Sequence, residues 1–175
     1  MEKEKQNKIA LVDGSNVIRY RTADTNCVRP PLVNALDALT RGLRKIGYKP
    51  LVIGDSGLWS GRPESGNPSV ERLCERYGDR RSLRLWREVY SPTAFRSSGA
   101  CADVAILAHA QKLVDLGSEV AIITNDKFLD HTGQFDCLDE FWLGSGRSRL
   151  LCPFEVRNWI LEVPALELKA AVWTN

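Results

Sequence analysis

Four aspartates combine a reactive side chain with a position at the end or start of a predicted element. Asp13 ends the apolar run 9–12, Asp126 follows the apolar run 120–124 with Asp130 close behind it, and Asp103 opens a helical pattern. Carboxylates brought together repel one another and raise each other's pKa unless a cation neutralises them. Oxygen ligands with incomplete coordination suit Mg²⁺ or Mn²⁺ and leave room for a water and a phosphate. The four aspartates therefore predict a divalent-metal site that activates water.

Asp103 has the strongest claim to a functional role. The residues three, four, seven and eleven positions after it are apolar, which puts its carboxylate on the inward face of the helix: Ile106, Leu107, Ala110 and Val114. An acid on that face needs a partner. In the first helical turn the macrodipole also keeps it ionised.

Structural roles compete with this interpretation at the other acids. An aspartate after a strand often only caps a helix or closes an Asx-turn, and Asp13 and Asp126 suit that role equally well. Asp55 ends a second apolar run and should therefore reach the same edge, but it stands immediately before Ser56 and Gly57, so a turn role is favoured for it. The arrival of several acids at one edge favours a metal site over separate caps.

The elements that must position these acids alternate between strand and helix. Strands are expected at 9–13, 50–55, 120–124 and 150–154, with a short strand edge at 88–92, and helices at 32–46, 68–77, 103–116 and, weakly, 135–143. Loops are expected at 19–29, 56–69 and 93–100. This alternation predicts a parallel sheet with right-handed crossovers. The carboxyl ends of its strands, and so the acids, then meet at one crevice.

Composition favours one globular domain without a membrane span. The chain has 175 residues, 43% of them hydrophobic, and no apolar run approaches the ~20 residues that a membrane helix needs. The charged start at 1–7 is a tail that does not resemble a secretory signal, so a cytoplasmic location is expected. The five cysteines form no Cys-x-x-Cys pair and only two histidines are present, so no zinc pattern is visible and reduced thiols are expected.

Charge is spread unevenly along the chain. The net charge is +2, yet residues 101–140 contain eight acids against two basic residues. A negative centre flanked by positive segments suits a site that holds a cation and receives a polyanion such as nucleic acid. The arginines at 76, 80, 81, 84 and 87 are equally well explained as a solvated helical face and as a nucleic-acid contact.

The motifs at the strand ends resemble those of the NYN branch of the PIN-like ribonucleases. The resemblance rests on Asp13-Gly14-Ser15-Asn16, on Asp103 within the segment 102–106, and on Thr124-Asn125-Asp126. The segments 12–17 and 124–130 are most similar to the catalytic domains of the Regnase group. The similarity spans residues 8–156, and the segment 157–175 is expected to pack on this core or on a partner, either a second copy or an inhibitor.

The resemblance implies a three-layer α/β/α, Rossmann-like PIN domain with a mainly parallel sheet. It also implies an endoribonuclease that needs Mg²⁺ or Mn²⁺ and cuts single-stranded or looped RNA to leave a 5′-phosphate and a 3′-hydroxyl. Matched by position, the catalytic and metal-binding residues are Asp13, Asp103, Asp126 and Asp130. Asn16 then fixes Asp13 or contacts the phosphate. The residues expected to contact or support the RNA are Ser15, Asn16, Arg19, Arg62, Asn125, Lys127 and His131.

Two other functions compete with this one. The Regnase domains carry paired acids at the head of the central helix, where this chain has Ala102 and Asp103, so the alternative is a PIN-like RNA-binding module with weak or no catalysis. A von Willebrand A-like adhesion domain also opens with a strand that ends in an aspartate. Its motif is Asp-x-Ser-x-Ser, but this chain has Val17 in place of the last serine, so this function is disfavoured.

Overall fold

A five-stranded parallel sheet forms the centre of the computed structural model, which describes residues 7–20, 33–61, 68–97, 101–131, 133–135 and 150–172. The strand order is β3-β2-β1-β4-β5, and every neighbouring pair is parallel. The strands are β1 Lys8–Asp13, β2 Lys49–Gly54, β3 Phe95–Arg96, β4 Glu119–Ile123 and β5 Leu151–Cys152. The predicted α/β class with a mainly parallel central sheet is confirmed.

Side chains alternate along the central strands and so divide the interior into two cores. On β1, Ala10 and Val12 face one core, whereas Leu11 faces the other. On β4, Ala121 and Ile123 likewise face the first core. Because successive side chains of a strand point to opposite faces, a continuous apolar strand requires cover on both sides. The result is a three-layer arrangement, with helices on each face of the sheet.

Two long helices provide most of that cover, and both lie close to their predicted positions. Helix α2 (Val33–Lys45) packs in the first core and ends just before Gly47, whose φ of +89° suits glycine. Helix α7 (Ala102–Asp115) packs in the second core through Ile106, Leu107 and Ala110. The shorter helices are α1 Gly14–Ile18, α3 Gly57–Ser60, α4 Val70–Arg76, α5 Arg80–Leu85 and α6 Ser91–Thr93.

The strand expected at 88–92 is wrong, because this segment is helical. A π-helical turn, Trp86–Tyr90, joins α5 to α6, and the third strand, β3, follows it. Trp86 and Tyr90 are four residues apart and both are buried, and the Tyr90 hydroxyl lies 2.9 Å from Thr40 Oγ1 on α2. This helical spacing of two aromatic side chains outweighs the local β propensity of Val89 and Tyr90.

Other expectations meet the structure only in part. Helix α3 occupies part of the loop expected at 56–69, and the turn Leu129–His131 is a short 3₁₀-helix. Residues 62–67, which include Arg62, lie outside the described residues. Most of the helix expected at 135–143 also lies outside them. Arg84 pairs with Glu88, and Arg87 pairs with Glu71 and Glu75, so these two arginines belong to a solvated helical face.

The C-terminal segment forms a small antiparallel sheet that packs on α2. Its strands are β6 Glu155–Arg157, β7 Ile160–Val163 and β8 Leu168–Ala171. Leu168 presses so closely on Gly42 that a Cβ there would lie 2.8 Å from Leu168 Cδ1. Among the described residues, no helix is both long and apolar enough to cross a membrane.

Candidate active site

An open cleft of about 620 Å³ lies at the carboxyl edge of the parallel sheet. The sequence delivers its polar residues there because β1, β2 and β4 end side by side and α7 begins at the same edge. The residues that line it are Asp13, Ser15, Asn16, Arg19, Tyr20, Asp55, Cys101, Ala102, Asp103, Asn125 and Asp126. Three of the four predicted acids thus share one cleft.

Asp13 is the buried acid of the cleft, with 4% of its surface exposed. Its Oδ1 accepts a hydrogen bond from the Asn16 backbone N–H at 2.9 Å, and its Oδ2 accepts one from the Thr124 hydroxyl at 3.0 Å. Burial, with a smaller contribution from the charges of Asp103 and Asp126, raises the pKa of Asp13 to about 6, although both hydrogen bonds lower it. Asp13 also caps α1, so the structural and the functional interpretation both apply to it.

Asn16 and Asn125 tie three segments together around Asp13. The Asn125 backbone N–H donates to Asn16 Oδ1 at 3.2 Å, and the Phe154 backbone N–H donates to Asn125 Oδ1 at 2.9 Å. Each bond uses the carbonyl oxygen of an asparagine side chain. The ends of β1, β4 and β5 are therefore held in register by two amide side chains.

Asp126 belongs to a turn that opens toward solvent. Its backbone N–H donates to Thr124 Oγ1 at 3.1 Å, and its Oδ1 accepts from the Phe128 backbone N–H at 2.8 Å. The second bond is the Asx-turn that the sequence offered as an alternative to a ligand role. Because the Asp126 side chain is exposed and lines the cleft, its other oxygen remains available to a ligand.

Asp103 lies in the first turn of α7, and 28% of its side chain is exposed. Asp103 lies on the predicted inward face of α7, but its carboxylate points into the cleft and not into the core. Two residues flank it there: the Cys101 thiol and His131, whose Nε2 lies 4.0 Å from Asp103 Oδ2. Desolvation and the neighbouring Asp103 carboxylate raise the pKa of the Cys101 thiol.

The remaining predicted residues are spread around the edge. Arg19 lines the cleft, and the Ser15 hydroxyl accepts from the Asp55 backbone N–H at 2.9 Å, which fastens the end of β1 to the end of β2. The side chains of Lys127 and Asp130 are exposed, and neither is among the described residues that line the cleft. Asp130 sits in the 3₁₀-helix, one turn beyond Asp126.

Sequence reasoning missed several residues that shape the cleft. Thr124 is 2% exposed and bonds both Asp13 and Asp126, and its place before Asn125-Asp126 at a strand end was the available signal. Asp55, by contrast, reaches this edge as the sequence predicted: its carbonyl accepts from the Leu58 N–H in the expected turn, and the residue is buried and lines the cleft. Nothing in the local sequence marks Tyr20 or Cys101 as cleft residues.

The donor set of the cleft fits a hard divalent cation. Asp13, Asp103 and Asp126 offer carboxylate oxygens, and a cation bound between them would offset both the burial of the Asp13 charge and the weaker repulsion from the other two acids. Mg²⁺ and Mn²⁺ prefer such oxygen ligands and retain waters where protein ligands are few. An open cleft accommodates those waters.

Comparison with known proteins supports the fold. No family model matches the chain, and no curated protein matches its sequence. Among solved structures, the chain is similar to nuclear proteinaceous RNase P 2 (PRORP2) from A. thaliana, with 18% identity and a TM-score of 0.50. The similarity covers 95% of this chain and 31% of that one, so the chain spans about a third of the PRORP2 length. Its fold is PIN-like.

Proposed function

We propose that this protein is a divalent-metal-dependent endoribonuclease. The observation that carries the proposal is the meeting of three carboxylates, from Asp13, Asp103 and Asp126, in one open cleft at the carboxyl edge of the sheet. A carboxylate as buried as Asp13 is costly to keep charged, which a purely structural cap does not require. Within the PIN-like fold, the motifs at 12–17 and 124–130 favour kinship with the Regnase group.

Asp13, Asp103 and Asp126 would hold Mg²⁺ or Mn²⁺. When bound, such an ion supplies charge neutralisation at the phosphate and activation of a water molecule. Asn16 and Thr124 hold the Asp13 carboxylate by one hydrogen bond to each oxygen, so that it points in a single direction. The nucleophile would be water, because the described residues that line the cleft include no serine paired with a histidine base.

RNA is the proposed substrate. Arg19 lines the cleft and would contact a phosphate, as would the Asn16 side-chain NH₂, since its carbonyl oxygen already accepts from Asn125. The open shape suits a flexible strand more than a rigid duplex, so single-stranded or looped RNA is favoured. Further contacts are proposed for Ser15, Arg62, Asn125, Lys127 and His131. The fold shared with a protein named as an RNase P agrees with this choice.

The test is cleavage of labelled RNA by the full chain. Single-stranded RNA, a hairpin with a large loop, and single-stranded DNA are each incubated with Mg²⁺, Mn²⁺ or EDTA. We expect metal-dependent cleavage of both RNAs and products with a 5′-phosphate and a 3′-hydroxyl. Asp13→Asn and Asp126→Asn should abolish it, whereas Asp115→Asn, at the opposite end of α7 from Asp103, should not.

Two outcomes would contradict the proposal. Cleavage that survives EDTA and both cleft variants would assign the activity to another site or to a contaminant. Tight, salt-dependent RNA binding without cleavage under any divalent ion would favour the non-catalytic RNA-binding module.

A further inference from the structure

Three side chains of different chemistry meet at the rim of the cleft. They are the Cys101 thiol, the Asp103 carboxylate and the His131 imidazole, and their ligand atoms all lie within 4.8 Å of one another. Cys101 immediately precedes α7, Asp103 lies in its first turn, and His131 ends the 3₁₀-helix that follows β4. No zinc spacing is visible in the sequence, because these residues are brought together by packing of α7 against the β4 edge.

His131 is already oriented as a metal ligand. The Gln134 side-chain NH₂ donates to the Asp130 carbonyl at 3.3 Å, which turns Gln134 Oε1 toward His131 Nδ1, also at 3.3 Å. An amide oxygen only accepts, so in the neutral ring that fits this contact Nδ1 carries the hydrogen, and Nε2, on the side of Asp103, is the nitrogen left to bind a metal. Metal-binding histidines are commonly fixed in this way, through a hydrogen bond from the nitrogen that does not bind the metal.

The three ligand atoms lie within 4.8 Å of one another, a somewhat wider spacing than that of a tetrahedral site. Zinc bonds of 2.0–2.3 Å place neighbouring ligand atoms about 3.3 to 3.8 Å apart. His131 Nε2 and Asp103 Oδ2 are 4.0 Å apart, so small side-chain rotations suffice to complete the geometry. Cys101 is exposed, which leaves a fourth position open to water.

These donors differ in kind from those of the proposed magnesium or manganese centre. Thiolate and imidazole are soft and borderline ligands that favour Zn²⁺, whereas Mg²⁺ favours carboxylate and water. Asp13 does not belong to the rim group, which consists of Cys101, Asp103 and His131. Asp103 is the one acid among the described residues that belongs to both groups.

We propose that Cys101, Asp103 and His131 form a Zn²⁺ site that inhibits the enzyme. Zn²⁺ bound there takes the Asp103 carboxylate away from the shared centre of Asp13 and Asp126. Occupancy of the rim site and catalysis are therefore mutually exclusive. The binding site stands on the geometry alone, while its inhibitory role rests on the proposed ribonuclease function.

Binding is tested with Co²⁺ as a spectroscopic stand-in for Zn²⁺, on the full chain with reduced thiols. We expect a thiolate-to-Co²⁺ charge-transfer band that saturates at one equivalent and is displaced by Zn²⁺. Cys101→Ser should remove the band, and Cys27→Ser is the matched control for loss of one thiol. Gln134→Leu should weaken Zn²⁺ binding by about 10-fold or more, as expected for a residue that orients a ligand. A band that is absent, or that persists in Cys101→Ser, would overturn the site.

Inhibition is tested by titrating Zn²⁺ into the Mn²⁺-dependent cleavage reaction. Each variant is normalised to its own rate without Zn²⁺. Cys101→Ser should need at least about 10-fold more Zn²⁺ for half-inhibition than wild type or Cys27→Ser. Equal sensitivity of all three proteins would overturn the inhibitory role. A Co²⁺ band without any RNA cleavage would instead contradict the ribonuclease proposal, and with it the inhibitory role, while supporting the metal site.

Discussion

Asp13 and Asp126 follow neighbouring strands of one sheet, yet they occupy opposite environments. Asp13 is buried and receives one hydrogen bond on each carboxylate oxygen, whereas Asp126 is exposed and receives one on Oδ1. Thr124 lies between them, since its hydroxyl donates to Asp13 and accepts from the Asp126 N–H. The comparison separates two tasks: Asp13 gives the cleft a fixed charge position, and Asp126 supplies a solvated, more adaptable ligand.

The largest expected effect comes from neutralising the buried acid. Asp13→Asn should lower RNA cleavage by at least about 100-fold, the scale on which loss of a fixed electrostatic group acts. Without metal at pH 7, its free energy of unfolding should exceed that of wild type, because a buried charge with two acidic neighbours has been removed. Urea unfolding in EDTA measures this.

Asp126→Asn, measured in the same cleavage and urea-unfolding experiments, is the solvated counterpart of Asp13→Asn. It should also lose cleavage but leave the free energy of unfolding within about 0.5 kcal/mol of wild type, since its asparagine oxygen still accepts from Phe128. Equal stability changes in the Asp13 and Asp126 variants would contradict the distinction between a buried and a solvated acid.

The second effect is a pH dependence that belongs to Asp13. Its pKa is about 6 in the folded protein against 3.8 for the unperturbed group, so between these values the folded state binds more protons than the unfolded state. The free energy of unfolding of the metal-free protein should therefore fall by about 3 kcal/mol in total as pH rises from about 3 to about 7, most steeply between the two pKa values, and then level off. In Asp13→Asn this decrease should disappear. An unchanged profile in that variant would assign the titration to another group.

A smaller effect is expected from the shared hydroxyl. Thr124→Val keeps the shape but removes the donor to Asp13 and the acceptor for the Asp126 N–H, so stability should fall by about 1 to 3 kcal/mol. The Mn²⁺ concentration needed for half-maximal cleavage should rise about 10-fold, as for other residues that orient a metal ligand. Thr124→Ser restores the hydroxyl and should recover most of both losses. Failure of serine to do so would show that packing, not hydrogen bonding, is the role of Thr124.

The smallest effect is expected at Asp130. Its side chain is exposed and outside the cleft lining, so Asp130→Asn should change cleavage by less than about 2-fold and stability by less than about 0.5 kcal/mol. The same assays as for Asp126→Asn measure both. A loss as large as that of Asp126→Asn would return Asp130 to the acidic site that the motif resemblance implies.

Strong periodicity made the central elements predictable. The burial pattern of each central element is present in its own sequence, so these elements were predicted correctly. They are the apolar strands β1, β2 and β4 and the amphipathic helices α2 and α7. The π-helical turn was not predictable, since Val89 and Tyr90 have strand propensity, and the helical state is favoured by tertiary contacts: the burial of Trp86 and Tyr90 and the contact of Tyr90 with Thr40. The two-residue strand β3 likewise depends on its pairing with Ile53 and Gly54 of β2.

The sequence by itself determined where the acids stand along the chain. Asp13 and Asp126 end apolar runs and Asp103 begins a helix, and a parallel sheet must then bring them to one edge. Only the tertiary structure decided their environments: that Asp13 is buried between Asn16 and Thr124, and that Cys101 and His131 flank Asp103. The burial of a side chain and the distances between ligand atoms depend on residues that are far apart in the chain. The local sequence around each residue does not determine which distant residues it contacts.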